Sequence, residues 1–198
     1  MDKLDKKEQI KEAKDVIDSG GIVVFPTETA YGLAADATNE KAVEKVYEAK
    51  NRSRSKGLTT IVSDFDQAKT YGDFSEKERN IIDEFMPGPL TLVADKNQSK
   101  ELPKNLNEKF VFRISSSKLA RKLANNTPIT ATSANISGKE TSFCVEDISS
   151  ELKIKVDYIL NEGQLDQKPT SSIAEVDDDE VIVHREGPIT KKDILDKV

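Results

Sequence analysis

Short apolar runs of strand length alternate with amphipathic stretches along nearly the whole chain, and this alternation leaves few folds open. From Lys6 to Ser19 the residues Ile10, Ala13, Val16 and Ile17 fall at helical spacing. Gly20-Gly21 supplies a stop. Ile22 to Phe25 then reads as a buried strand ended by Pro26. Thr38 or Asn39 can cap a helix that carries Ala42, Val43, Val46 and Tyr47 on one face. Leu58 to Val62 is a strand, Asp64 opens a short helix through Ala68, and Ser75 with Glu78 forms a capping-box pattern ahead of a helix to about Phe85. Pro87-Gly88-Pro89 breaks that helix. Leu90 to Val93, Phe110 to Ile114 and Pro128 to Thr132 are strands, with a helix from about Ser117 to Asn125 between the last two. Further strands follow at Tyr158 to Leu160, Ser172 to Val176 and Val181 to Val183, and Thr190 with Asp193 opens a last short helix.

Strands interleaved with helices predict α/β layers around a largely buried sheet. The closely spaced late strands predict some antiparallel pairing, and so a mixed sheet. No repeat, linker or low-complexity tract divides the 198 residues, so one domain over 1–198 is expected.

Composition narrows the chemistry. No run approaches the roughly 18 consecutive apolar residues of a membrane span, and the charged start, Met1 to Lys6, is followed by no apolar stretch of the secretory kind. Cys144 is the single cysteine, which excludes an internal disulfide framework and suits a reducing cytoplasm. His184 is the single histidine. A Cys/His zinc site therefore lacks ligands, and a Ser-His-Asp arrangement lacks its G-x-S-x-G turn. Catalysis here must rest on placing substrates and neutralising charge. The net charge of −6 speaks against nucleic-acid binding by the whole surface, but leaves room for a local basic patch.

Five stretches could carry that chemistry. Pro26-Thr27-Glu28-Thr29-Ala30-Tyr31-Gly32-Leu33 places Thr27 and Thr29 just past a strand, where α/β folds commonly hold ligands, or else is an ordinary turn. Lys50-Asn51-Arg52-Ser53-Arg54-Ser55-Lys56 concentrates four cations; it suits a polyphosphate or is a solvated basic turn, with an RNA contact as a third reading. Arg113 stands alone in the apolar run Phe110 to Ile114 and needs a partner, either a protein carboxylate or a substrate carboxylate. Ser133-Ala134-Asn135 follows a strand with a small residue that would let a ligand approach the backbone, or else is a serine/asparagine turn with no function, and Ser171-Ser172 precedes a strand that carries Arg185.

Taken in order, these segments resemble the YrdC-like family of L-threonylcarbamoyladenylate synthases. The resemblance runs from about Gly20 to Pro188. It rests on Pro-Thr-Glu-Thr-x-Tyr-Gly-Leu at Pro26 to Leu33, Lys-x-Arg at Lys50 and Arg52, Pro-Gly-Pro-Leu-Thr at Pro87 to Thr91, Arg113, and Ser-Ala-Asn at Ser133 to Asn135. It implies an open, twisted mixed sheet with flanking helices around a large concave, positively charged cavity. It also implies a nucleotidyltransferase that joins L-threonine, bicarbonate and ATP with Mg²⁺ assistance and releases pyrophosphate. By match, Thr29, Arg113 and Ser133 would hold threonine. Lys50 and Arg52 would serve catalysis and hold the ATP phosphates, and Lys56, Asn135, Ser171 and Arg185 would complete the nucleotide site. No metal ligand is assigned to a protein side chain.

The resemblance further implies a cytoplasmic enzyme with no membrane contact and at most a weak one to tRNA. Its product would pass to a separate transferase that modifies adenosine in tRNA. Ile61, Lys109 and Phe143 depart from the family pattern, at positions where a histidine or hydroxyl residues are frequent. The sequence ends at Val198 without the extra C-terminal domain of longer members, so the single-domain form is expected. Two rival readings stand beside this one: an RNA- or nucleotide-binding module without catalysis, and the carbamoyl-adenylate chemistry of hydrogenase maturation, whose proteins carry further domains.

Overall fold

The computed structural model describes residues 5–98, 100, 102–177 and 180–198. In chain order the elements are α1 (Lys6–Asp18), β1 (Val23–Pro26), β2 (Tyr31–Ala34), α2 (Glu40–Lys50), β3 (Thr59–Val62), α3 (Phe65–Tyr71), β4 (Gly72–Asp73), α4 (Glu76–Phe85) and β5 (Leu90–Lys96). The second half adds β6 (Phe110–Ile114), α5 (Lys118–Leu123), β7 (Ile129–Ser133), α6 (Ser150–Lys153), β8 (Tyr158–Ile159), β9 (Ser172–Asp177), β10 (Glu180–Arg185) and α7 (Lys191–Leu195). Local sequence explains most of these boundaries. Asn39 caps α2 through its side chain, and full capping boxes open α4 at Ser75 and α7 at Thr190. A further capping box, Asp5 with Glu8, opens α1.

The strands form one mixed sheet in the order β10-β9-β5-β6-β3-β7-β2-β1-β8, with β4 paired to β5. The late pair β9 and β10 is antiparallel, as their spacing predicts. The pairs β3 with β6, β5 with β9 and β1 with β8 are parallel. Three elements lie outside the sequence expectation: β2, the two-residue β4 and α6. The segment after Pro26 turns straight back into β2, a hairpin of four buried residues too short to show a period. Gly32 permits this close return, since a Cβ there would sit 2.9 Å from the Phe25 ring. The helix α6 has four residues, below what periodicity can detect.

Alternate residues of each strand separate the two faces of the sheet. On β6, Phe110, Phe112 and Ile114 enter the larger apolar core with α2, α3 and α4. Val111 and Arg113 point the other way and line a cavity. The cavity face is closed at one end by a second, smaller core, where Ala13 and Ile17 of α1 and Leu119 and Leu123 of α5 pack on Phe25, Ile61 and Ile129. The open remainder of that face is the hollow.

Candidate active site

The hollow has a volume of about 990 Å³ and collects residues from β2, β3, β5, β6, β7, β9, β10 and the loops after β1, α2 and β5. Of the side chains singled out in the sequence, Thr29, Arg52, Lys56, Arg113, Ser133, Ser171 and Arg185 line it. Among the described residues its wall carries seven Lys or Arg against two Glu, inside a chain of net charge −6. Such a concentration of one sign in a low-dielectric cleft focuses an attractive field on anions.

Arg113 is 5% exposed. Its Nη1 donates to Glu28 Oε1 at 2.7 Å, while its buried Nε has no acceptor among the described residues. Burial draws the guanidinium pKa below its usual value, and Glu28 opposes that shift. The sequence left two partners open for this arginine. The structure supplies a protein carboxylate for one edge of the fork and none for Nε. Close by, Thr27 and Thr29 fold into a hydroxyl-bonded turn, in which the Thr27 hydroxyl donates to Ala30 O at 2.7 Å and lies 3.1 Å from that of Thr29.

Lys50 and Asn135 do not line the hollow; they stand directly behind it. Lys50, at the end of α2, is 1% exposed, and its Nζ donates to Ser133 O, to Asn135 O at 2.7 Å and to Asn135 Oδ1 at 3.4 Å. Three acceptors match the three N–H groups of an ammonium. Burial and the neighbouring Arg52 nevertheless bring its pKa down to about 7, so the group sits near its changeover at neutral pH. The Ser133 hydroxyl in turn donates to Asn135 Oδ1, and Asn135 Nδ2 donates to Lys139 O at 2.6 Å. The expectation that Lys50 reaches phosphate is thereby revised: its ammonium is turned inward, where it ties the Ser133–Asn135 turn to α2.

The basic loop is similarly ordered from within. Arg52 donates through Nε to Gly57 O at 3.0 Å and through Nη2 to Lys56 O and Gly57 O, each at 2.9 Å. Burial lowers its pKa, with Tyr47 opposing. Arg54 is engaged by Glu44. At the far wall Ser171 bonds the Thr91 hydroxyl at 2.8 Å, and Arg185 donates through Nε and Nη2 to Ser171 O at 2.9 and 2.7 Å. Burial and repulsion from Arg113 both lower the Arg185 pKa, so the two guanidinium groups share one electrostatic neighbourhood. A register shift between Val183 and Arg185 turns both His184 and Arg185 toward the hollow.

Sequence reasoning missed several groups here. Glu28 was legible only as a charge between two threonines. Glu175 was not singled out at all, yet it binds Lys109 at 2.6 Å and His184 at 2.7 Å on the cavity wall. Burial of Glu175 works against its charge, but those two hydrogen bonds outweigh it and keep its pKa low. Of the departures from the family pattern, Lys109 lies on the wall. Ile61 is fully buried in the smaller core, and Phe143 is half-buried, with its carbonyl accepting from Leu165 N. Among the described residues no group of three or more His, Cys, Asp or Glu side chains gathers as metal ligands.

The family model Sua5/YciO/YrdC, described as "Telomere recombination", matches residues 15–187. The chain belongs to this family. Among Sua5/YciO/YrdC relatives, a Methanocaldococcus jannaschii protein provisionally named a threonylcarbamoyl-AMP synthase is 37% identical over 96% of this chain and 90% of its own length. The Bacillus subtilis threonylcarbamoyl-AMP synthase is 33% identical over 94% of this chain, which spans only 55% of that relative. Among solved Sua5/YciO/YrdC structures, Pyrococcus abyssi Sua5 complexed with L-threonine superposes with a TM-score of 0.90 at 28% identity. The match covers 99% of this chain and 59% of that one. The open mixed sheet expected from sequence is thus the family fold.

Proposed function

We propose that this chain is a threonylcarbamoyl-AMP synthase, condensing L-threonine, bicarbonate and ATP to threonylcarbamoyl-AMP and pyrophosphate. The observation that carries the reading is Arg113: a buried guanidinium on the wall of a cationic hollow, with one edge held and its Nε–H without an acceptor. A buried unmet donor costs about 1–3 kcal/mol, and a substrate carboxylate would meet it. The names of the relatives and the threonine bound by the Pyrococcus protein support the same reading.

In this mechanism Arg113 takes the carboxylate of threonine, and Thr29 and Ser133 hold the rest of the amino acid. The threonine amine attacks the carbon of bicarbonate, and water leaves to give a carbamate. A carbamate oxygen then attacks the α-phosphorus of ATP, and the bond to pyrophosphate breaks. Arg52 and Lys56 face the phosphates, whose negative charge grows as pyrophosphate departs. Ser171 and Arg185 hold the nucleotide, while Lys50 and Asn135 act one step back by fixing Ser133. Mg²⁺ would enter with ATP as part of the substrate and would help neutralise the phosphate charge. The adenylate then passes to a separate transferase acting on tRNA in the cytoplasm. Among the described residues no helix is long and apolar enough to cross a membrane.

Mass detection after incubation with threonine, bicarbonate and Mg·ATP tests the reading. Threonylcarbamoyl-AMP should form with one pyrophosphate per adenylate, and omission of any one substrate should abolish it. Nucleotide binding without any adenylate would overturn the reading in favour of a binding module.

A further inference from the structure

Glu28 belongs to the same turn as Thr27 and Thr29, yet it does not line the hollow. Its carboxylate turns behind the wall and reaches β6, 85 residues away in sequence, where Oε1 accepts from Arg113 Nη1 at 2.7 Å. Oε2 accepts from the Ser115 hydroxyl. That hydroxyl also accepts from Ser117 N at 3.1 Å, and Ser115 O accepts from Arg121 Nη1 at 2.7 Å. Both carboxylate oxygens are therefore pinned to the junction between β6 and α5. The backbone of Glu28 is pinned as well, because Thr29 N and Ala30 N each donate to the Thr27 hydroxyl at 3.2 Å.

A guanidinium is a rigid planar fork. Holding Nη1 while the strand holds the stem fixes the plane, and leaves the Nε edge as the part without an acceptor. A carboxylate is matched by that edge through parallel N–H donors, provided the fork does not rotate. Glu28 also offsets part of the cost of burying this cation near Arg185, which repels it.

We infer that Glu28 is the positioning residue of the amino-acid subsite: it touches no substrate, and it sets both the plane of Arg113 and the separation of Arg113 from Thr29. The inference rests on the reading of this hollow as a threonine site. A substrate carboxylate on Arg113 then completes a three-part array, carboxylate–guanidinium–carboxylate, in which the protein's own carboxylate selects the geometry offered to the ligand's.

Calorimetric titration of the full chain with L-threonine and, separately, with Mg·ATP tests this without turnover. Glu28→Ala should weaken threonine binding by roughly 10- to 100-fold, the range for loss of one charge-assisted contact. ATP binding should stay within about 2-fold, since no nucleotide contact is altered. Glu28→Gln keeps an acceptor for Nη1 and should recover most of the threonine affinity. In an Arg113→Ala background, Glu28→Ala should cost threonine nothing more, because a residue acting only through Arg113 cannot add to its loss. Unchanged threonine binding in Glu28→Ala, equal losses for both ligands, or additive losses in the double variant would each overturn the positioning role. A wild-type chain that binds no threonine would sink the site reading itself, and this inference with it.

Discussion

The two faces of the sheet are built from the same strands, yet they solve opposite problems. On one, Phe112 stacks at 4.8 Å on Phe110 and meets Phe74 at 5.3 Å, within an apolar core that α2, α3 and α4 help to close. One residue further along β6, Arg113 faces a hollow. The apolar face holds together through area removed from water. The other face does so only at the end that α1 and α5 cover; around the hollow it cannot, because an unpaired cation there is costly. It is held instead by local pairings: Arg52 on two carbonyls, Arg185 on Ser171, Lys109 on Glu175 and Arg113 on Glu28. The contrast teaches that a cationic cavity in an acidic protein is scaffolded one group at a time, with Arg52, Arg54, Lys109, Arg113 and Arg185 each held by an acceptor of the protein before any ligand arrives.

If that division is real, neighbouring substitutions should separate stability from ligand use. Phe112→Ala should cost about 3–5 kcal/mol in denaturant unfolding while leaving threonine affinity of the folded fraction unchanged. A selective loss of threonine affinity without loss of stability would break the comparison. Arg113→Lys keeps a cation beside Glu28 but loses the planar fork. It should lower kcat/KM for threonine about 100-fold, roughly 2.7 kcal/mol, and change unfolding free energy by less than about 1 kcal/mol.

Lys50 sharpens the contrast most finely. Its folded-state pKa, about 7, lies below the ordinary lysine value near 10.4 that it regains on unfolding. Between those values the unfolded chain binds more protons than the native one, so this group makes stability rise with pH, by at most about 1.4 kcal/mol per unit. The unfolding free energy of wild type relative to Lys50→Met should therefore climb from about pH 7 to 10 and lie flat below pH 7. A difference that stays flat across the whole range would show that Lys50 remains charged throughout.

What the sequence made legible was whatever depends on neighbours. The strand at Phe110 to Ile114 matches β6 residue for residue, because four apolar residues around one arginine admit little else. The Ser75 and Thr190 capping boxes are complete within four residues. The hairpin strand β2 escaped because Gly32 interrupts an already short run. Direction was the harder matter. A lysine followed by an arginine reads the same whether its ammonium faces solvent, a ligand or the protein, and only the fold shows Lys50 turned toward Ser133 and Asn135. The partner of Arg113 was equally hidden, since nothing near residue 113 points to residue 28.

The order of strands in the sheet has a consequence for how the molecule is made. The central strands come from the first two-thirds of the chain, whereas β8 flanks β1 at one side and β9 flanks β5 at the other. Until the segment from Tyr158 onward has left the ribosome, the margins of the growing sheet are β1 and β5, strands that the complete fold buries, and their uncovered N–H and C=O groups are the kind of surface on which chains stick to one another. A nonsense mutation shortly before Tyr158 would thus yield a sticky polypeptide prone to self-association, even though the hollow's arginine at position 113 and its glutamate clamp would both still be present.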